Sequence, residues 1–107
     1  MQLVDVEPLN HRSEVVADDV PRRTLKGHLD RTVSMSFSPD DRTLATGSWD
    51  GTVRLWHVIS GQEVAALKAH YGKVEAVAFS PDGAVLATGG QRDADHGEVF
   101  LWRTNPK

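Results

Sequence analysis

Cysteine is absent from the 107-residue chain, which excludes disulfides, thiolate metal sites and cysteine nucleophiles. No apolar run approaches the ~20 residues needed to cross a bilayer. The amino terminus, MQLVDVEPLNHRSEVVADDV, lacks the basic start and apolar core of a secretory signal. Positive charge is not in surplus either: 12 Lys and Arg stand against 15 Asp and Glu, a formal net charge of -3. A nucleic-acid binder would show clustered cations and a positive balance. The expectations that follow are a cytoplasmic address, no membrane and no nucleic-acid partner.

What the chain does have is enough apolar sequence, 39% of its residues, for the core of one domain. Residues 1–21 differ from the rest. They carry Asp5, Glu7, Glu14, Asp18 and Asp19 against Arg12, with Pro8 and Pro21 as punctuation. The expectation here is an acidic amino-terminal arm with a disordered character, within which Leu3, Val4 and Val6 alternate as a short strand would.

From Arg22 onward the chain repeats itself. A shift of 42 residues lays Leu25–Ser48 over Leu67–Gly90 with eleven identities in 24 positions: Leu25, Lys26, His28, Phe37, Ser38, Pro39, Asp40, Leu44, Ala45, Thr46 and Gly47 all recur. Trp56 meets Trp102 only after four inserted residues around Arg92–Asp95. Each unit reads as β: apolar runs of five or six residues, such as Thr32–Phe37, Leu44–Ser48 and Thr52–Trp56, are separated by Ser-Pro-Asp-Asp, Asp-Gly and Ser-Gly turns. Near-continuous apolarity within a run predicts sheets covered on both faces.

On these residues the chain resembles the WD-repeat (WD40) β-propeller family. The first unit carries Gly27-His28, Phe37-Ser38-Pro39-Asp40, Leu44-Ala45-Thr46-Gly47-Ser48, Asp50 and Trp56; the second carries His70, Phe79-Ser80-Pro81-Asp82-Gly83, Leu86-Ala87-Thr88-Gly89 and Trp102. Both depart from the family in lacking an Asp after the closing Trp, and the second has Ala69 where the first has Gly27. The resemblance implies an all-β fold of two four-stranded antiparallel blades, with repeat one at about 22–61 and repeat two at about 62–104. Counted in the family's strand order, the chain reads d-abcd-abc, with an opening d strand at Arg22–Lys26. Two blades do not close a ring, so the fold is a partial propeller or a ring completed by oligomerisation.

The resemblance also implies a buried polar chain in each blade: Asp50, His28, Thr46 and Trp56 in the first, and His70, Thr88 and Trp102 in the second. The acid of the second is open between Asp93, Asp95 and neither. On the narrow top surface, where partners of the family bind, the matching positions are Arg31, Val33, Trp49, Lys73 and Glu75. Trp49 has two readings, a partner hot spot or packing on the neighbouring blade.

Enzymatic signatures are weak. His70, Asp93, Asp95 and His96 fit no zinc spacing and no calcium loop, and the segment around Asp93 reads as a solvated loop. Gly89-Gly90 is followed by no Gly-Lys-Ser/Thr, and no nucleophile elbow is present. No metal or cofactor is expected. The functional expectation is a non-catalytic scaffold for protein or peptide partners. Two alternatives stand beside it: a regulatory or recruiting fragment of a larger enzyme such as a kinase or protease, and a self-assembling structural module that forms a homo-oligomer.

Overall fold

The structure, a computed structural model, describes residues 2–3 and 23–104. Within them it is strand, turn and short irregular connection, with no helix among the described residues. A two-residue strand β1 (Gln2–Leu3) pairs antiparallel with β2 (Arg23–Thr24). The first blade is a four-stranded antiparallel sheet of β3 (Thr32–Phe37), β4 (Thr43–Ser48), β5 (Thr52–His57) and β6 (Glu63–Lys68), in that order. The second is three-stranded: β7 (Val74–Phe79), β8 (Val85–Asp93) and β9 (His96–Arg103). This is the abcd-abc order read from the repeat. The opening strand is shorter than Arg22–Lys26 and has a partner in β1. The expected acidic arm over residues 1–21 otherwise lies outside the described residues.

The turns explain themselves chemically. After β3, the Ser38 hydroxyl donates to Asp40 Oδ1 (2.6 Å), which also accepts the Arg42 N–H (3.0 Å), while the Thr43 N–H returns to Ser38 Oγ (3.0 Å). Ser80, Asp82, Ala84 and Val85 repeat the arrangement after β7. These bonds hold the Asp40 and Asp82 carboxyls below the usual carboxylate range, through the Ser38 hydroxyl first at Asp40 and the Ala84 N–H first at Asp82. The turn needs a left-handed residue, Gly83 at φ 76° in one case and Asp41 at φ 62° in the other. Asp adopts this conformation at a cost that Gly avoids.

The core lies between the blades. Ala45 and Val53 of blade one, Val74, Val77 and Leu86 of blade two, and Ala69 between them form one buried cluster, with Leu55, Leu67, Phe79 and Trp102 packed on it. Strand β7 is a sheet edge, and its outward amides need acceptors. Blade one provides them: the Val77 N–H donates to Ser34 Oγ (3.0 Å) and the Phe79 N–H to Ser36 Oγ (3.1 Å). A smaller cluster of Leu25, Leu44 and Trp56, with Val58, covers the other face of blade one.

The insert in the second repeat departs from the expected solvated loop. Both strands run on, pairing Gly90 with Glu98, Gln91 with Gly97 and Asp93 with His96. The added residues lengthen the β8–β9 hairpin, and their turn is Ala94-Asp95.

Candidate functional site

Two constellations stand out, one inside blade one and one at the junction of the blades. The first joins four residues from separate segments. Trp56, at the end of β5, donates its indole N–H to Thr46 Oγ1 (2.8 Å). Thr46 Oγ1 lies 2.7 Å from His28 Nε2, and His28 Nδ1 lies 3.2 Å from Asp50 Oδ2. Facing a carboxylate, Nδ1 carries the proton, so Nε2 accepts from the threonine hydroxyl. The chain therefore runs donor to acceptor from indole to hydroxyl to imidazole to carboxylate.

Asp50 also accepts the Leu29 N–H (2.8 Å), the Thr52 N–H (2.8 Å) and the Thr52 hydroxyl (2.5 Å). Burial alone would raise its pKa, but the bonds from Thr52, Leu29 and His28 outweigh burial and hold the carboxyl far below its ordinary value. Every polar atom of the set has a defined use. Thr46 is fully buried, and the His28 and Asp50 side chains are nearly so. Such a network fixes strand positions and leaves no reactive group free.

Blade two keeps part of it. Trp102 donates to Thr88 Oγ1 (3.0 Å), which meets His70 Nε2 at 3.1 Å. Neither acid left open in the sequence completes the set: Asp93 Oδ1 instead contacts His96 Nδ1 (2.8 Å) and accepts the Asp95 N–H (2.9 Å). Those contacts, His96 first, lower the Asp93 pKa. The acid near His70 is Glu98, with Oε2 3.5 Å from Nδ1, and Nδ1 is buried without a hydrogen bond. Phe100 stacks on the His70 ring (5.0 Å between centroids, 8° between planes). Counting back from each Trp, Glu98 stands where Thr52 does and Phe100 where Arg54 does. Arg54 instead bridges to Glu63 on β6 (2.9 Å).

The second constellation contains Trp49. It follows β4, and its N–H donates to the Arg31 carbonyl (3.1 Å). Two cations sit over its ring: the Arg31 guanidinium carbon lies 4.5 Å from the ring centroid and the Lys73 ammonium 3.9 Å. Arg31 enters β3 and Lys73 enters β7, so the indole is held between blades. The Trp49 indole N–H is buried and unpartnered. Val33 and Glu75, the other two positions expected on the top surface, are the extra residues of matching β-bulges opposite β4 and β8. Bulges re-aim side chains, and both residues are exposed.

Sequence reasoning missed Thr52, Glu98 and Phe100, which backward counting from the tryptophans would have marked. It also missed Ser34 and Ser36. Their counterparts 42 residues on are Ala76 and Ala78, so a search for identities discards them.

Against known proteins, the family model described as WD domain, G-beta repeat matches residues 19–57 and 61–103. The chain is 46% identical over 39 residues to the ribosome biogenesis protein ERB1 of Debaryomyces hansenii, covering 36% of this chain and 5% of that protein. It is 50% identical over 38 residues to the protein HIRA of Oryza sativa subsp. japonica, covering 36% and 4% respectively. The Notchless protein homolog of Arabidopsis thaliana is 41% identical over 51 residues, 48% of this chain and 9% of that one. The chain thus spans under a tenth of the length of each of these relatives.

Proposed function

Because the chain belongs to the WD40 family, we propose that it is a non-catalytic scaffold that presents a rigid surface to protein or peptide partners. The observation that carries this reading is Trp49, fixed between the blades by Arg31 and Lys73 on a support tied by the Ser34 and Ser36 hydroxyls. A half-buried aromatic flanked by cations on a braced frame has the make-up of an interface hot spot. The polar chain of blade one supports the non-catalytic part, since its His and Asp are fully used in holding Trp56. Fold alone does not assign a partner, so the test is direct. Linear peptides selected from a display library on the wild-type chain should lose binding to Trp49→Ala. Selected peptides that bind the two proteins equally would overturn the reading.

A second reading, self-assembly, has its own observation. The open side of blade two presents Ala87, Val99 and Leu101, which repeat the positions of Ala45, Val53 and Leu55, the residues by which blade one buries itself on blade two. Val99 and Leu101 are 69% and 73% exposed. On blade one, Met35 and Phe37 repeat the positions of Val77 and Phe79 and are likewise exposed. One copy's open face thus matches another's, except that Ala76 and Ala78 offer no hydroxyl. Light scattering behind a sizing column tests it: a discrete oligomer that Leu101→Lys dissociates supports the reading, and a monomer at all concentrations removes it.

A further inference from the structure

We infer that the Arg31–Trp49–Lys73 clamp receives an anionic side chain of a bound peptide, a phosphoryl or carboxylate group; the inference rests on the peptide-binding reading of this surface. The first reason is uncompensated charge. Two cations are gathered on one indole, where they repel each other, yet neither forms an ion pair among the described residues. The acids nearby are used elsewhere. Asp50 is filled by His28, Leu29 and Thr52, and Asp30 Oδ1 accepts the Arg31 main-chain N–H (2.7 Å). Glu75, two residues past Lys73, makes no ion pair among the described residues and, with Asp30 Oδ2, is a local carboxylate able to compete with a ligand.

The second reason is preorganisation. The carbonyl of Arg31 is tied to Trp49 N–H (3.1 Å) and that of Lys73 to Gln91 N–H (3.0 Å), so both cations spring from fixed backbone. Stacking on the ring costs the side chains rotamer freedom before any ligand arrives. It leaves their N–H donors available, and both residues are exposed. A guanidinium fork beside an ammonium point charge suits a tetrahedral dianion better than a single carboxylate. The third reason is that the cluster occurs at one place: the position of Trp49 in the second repeat holds Gln91. A role confined to inter-blade adhesion would require nothing of the outward-facing donors.

The test uses the full chain and three peptides, Gly-Gly-Xaa-Gly-Gly with phosphoserine, glutamate or serine at Xaa, followed by the Trp49 indole N–H resonance, assigned with Trp49→Phe. The phosphoserine and glutamate peptides should shift it saturably, the first more tightly, and salt should weaken both. Arg31→Gln and Lys73→Gln should each weaken binding roughly tenfold, about 1.4 kcal/mol, and Glu75→Gln should tighten it. Tighter binding of phosphoserine assigns a phosphorylated partner, and equal binding assigns an acidic one. A serine peptide that binds as well as the other two would overturn the anion preference but leave peptide binding standing. No shift from any peptide would overturn both. Unchanged affinity in the two Gln variants, with lowered melting temperatures, would return the clamp to a purely structural role.

Discussion

The Glu98 carboxylate stands 3.5 Å from Nδ1 of His70, at the strand position where blade one places the Thr52 hydroxyl 3.2 Å from Nδ1 of His28. Blade two has thus moved its acid from the turn onto the strand. The move leaves an approach without a hydrogen bond, and the His70 ring is braced by Phe100 instead.

The two histidines should therefore couple differently to their acids. A double-mutant cycle on His28 and Asp50, read by denaturant unfolding, should give a coupling of about 0.5–3 kcal/mol, the range for groups in one hydrogen-bond network. The same cycle on His70 and Glu98 should stay below about 0.5 kcal/mol. Equal couplings would show that the acid's displacement has no energetic effect.

Acid should weaken blade one through Asp50. Its folded pKa is depressed, so as pH falls below the ordinary carboxylate value of about 4 the unfolded chain takes up the proton first, and stability declines. Above that pH the contribution is fully present. Asp40, Asp82 and Asp93 are shifted in the same direction but are exposed and contribute less. Asp50→Asn should lower stability at neutral pH and flatten its fall between about pH 4 and pH 2. An unaltered slope would contradict this.

The paired turns supply an internal control for backbone strain. Asp41 holds φ 62° where Gly83 holds φ 76°. Asp41→Gly should raise stability by about 0.5 kcal/mol, and Gly83→Ala should lower it by about 1 kcal/mol. A Cβ at Gly83 would also come 3.3 Å from Pro39 Cδ. Thermal melts of the two variants moving in the same direction would refute the assignment.

Ser34→Ala and Ser36→Ala should each cost about 1–2 kcal/mol, because each strands an amide of β7 at a packed junction. The loss should appear as faster hydrogen exchange at Val77 or Phe79, one amide per variant. Exchange unchanged at both would mean that water replaces the hydroxyl without cost.

Much of this fold was legible in the sequence for a simple reason: turns and closing tryptophans repeat because each blade needs the same hairpins. The Ser-Pro-Asp turns and the strand runs recur in both units, whereas the His28–Thr46–Asp50–Trp56 set was implied by the resemblance to the WD-repeat family, since Asp50 has no acid 42 residues on. What stayed hidden depends on differences between the units. Glu98 was obscured because the insert shifts it relative to His70, and Ser34 and Ser36 because alanines answer them. The pairing of Gln2–Leu3 with Arg23–Thr24 was hidden for another reason. Two residues of extended chain carry too little pattern to name a partner across the long stretch between Leu3 and Arg23.

The hydroxyls of Ser34 and Ser36 give the two repeats an order. Repeat one accepts the edge of the following blade by hydrogen bonds, whereas repeat two would offer any follower the methyl groups of Ala76 and Ala78. A chain built from two copies of repeat two would keep the Ser-Pro-Asp turn and the closing Trp and still lose both bonds at its central seam. The repeats look alike as text, but as parts they are keyed, and their order is written in two oxygen atoms.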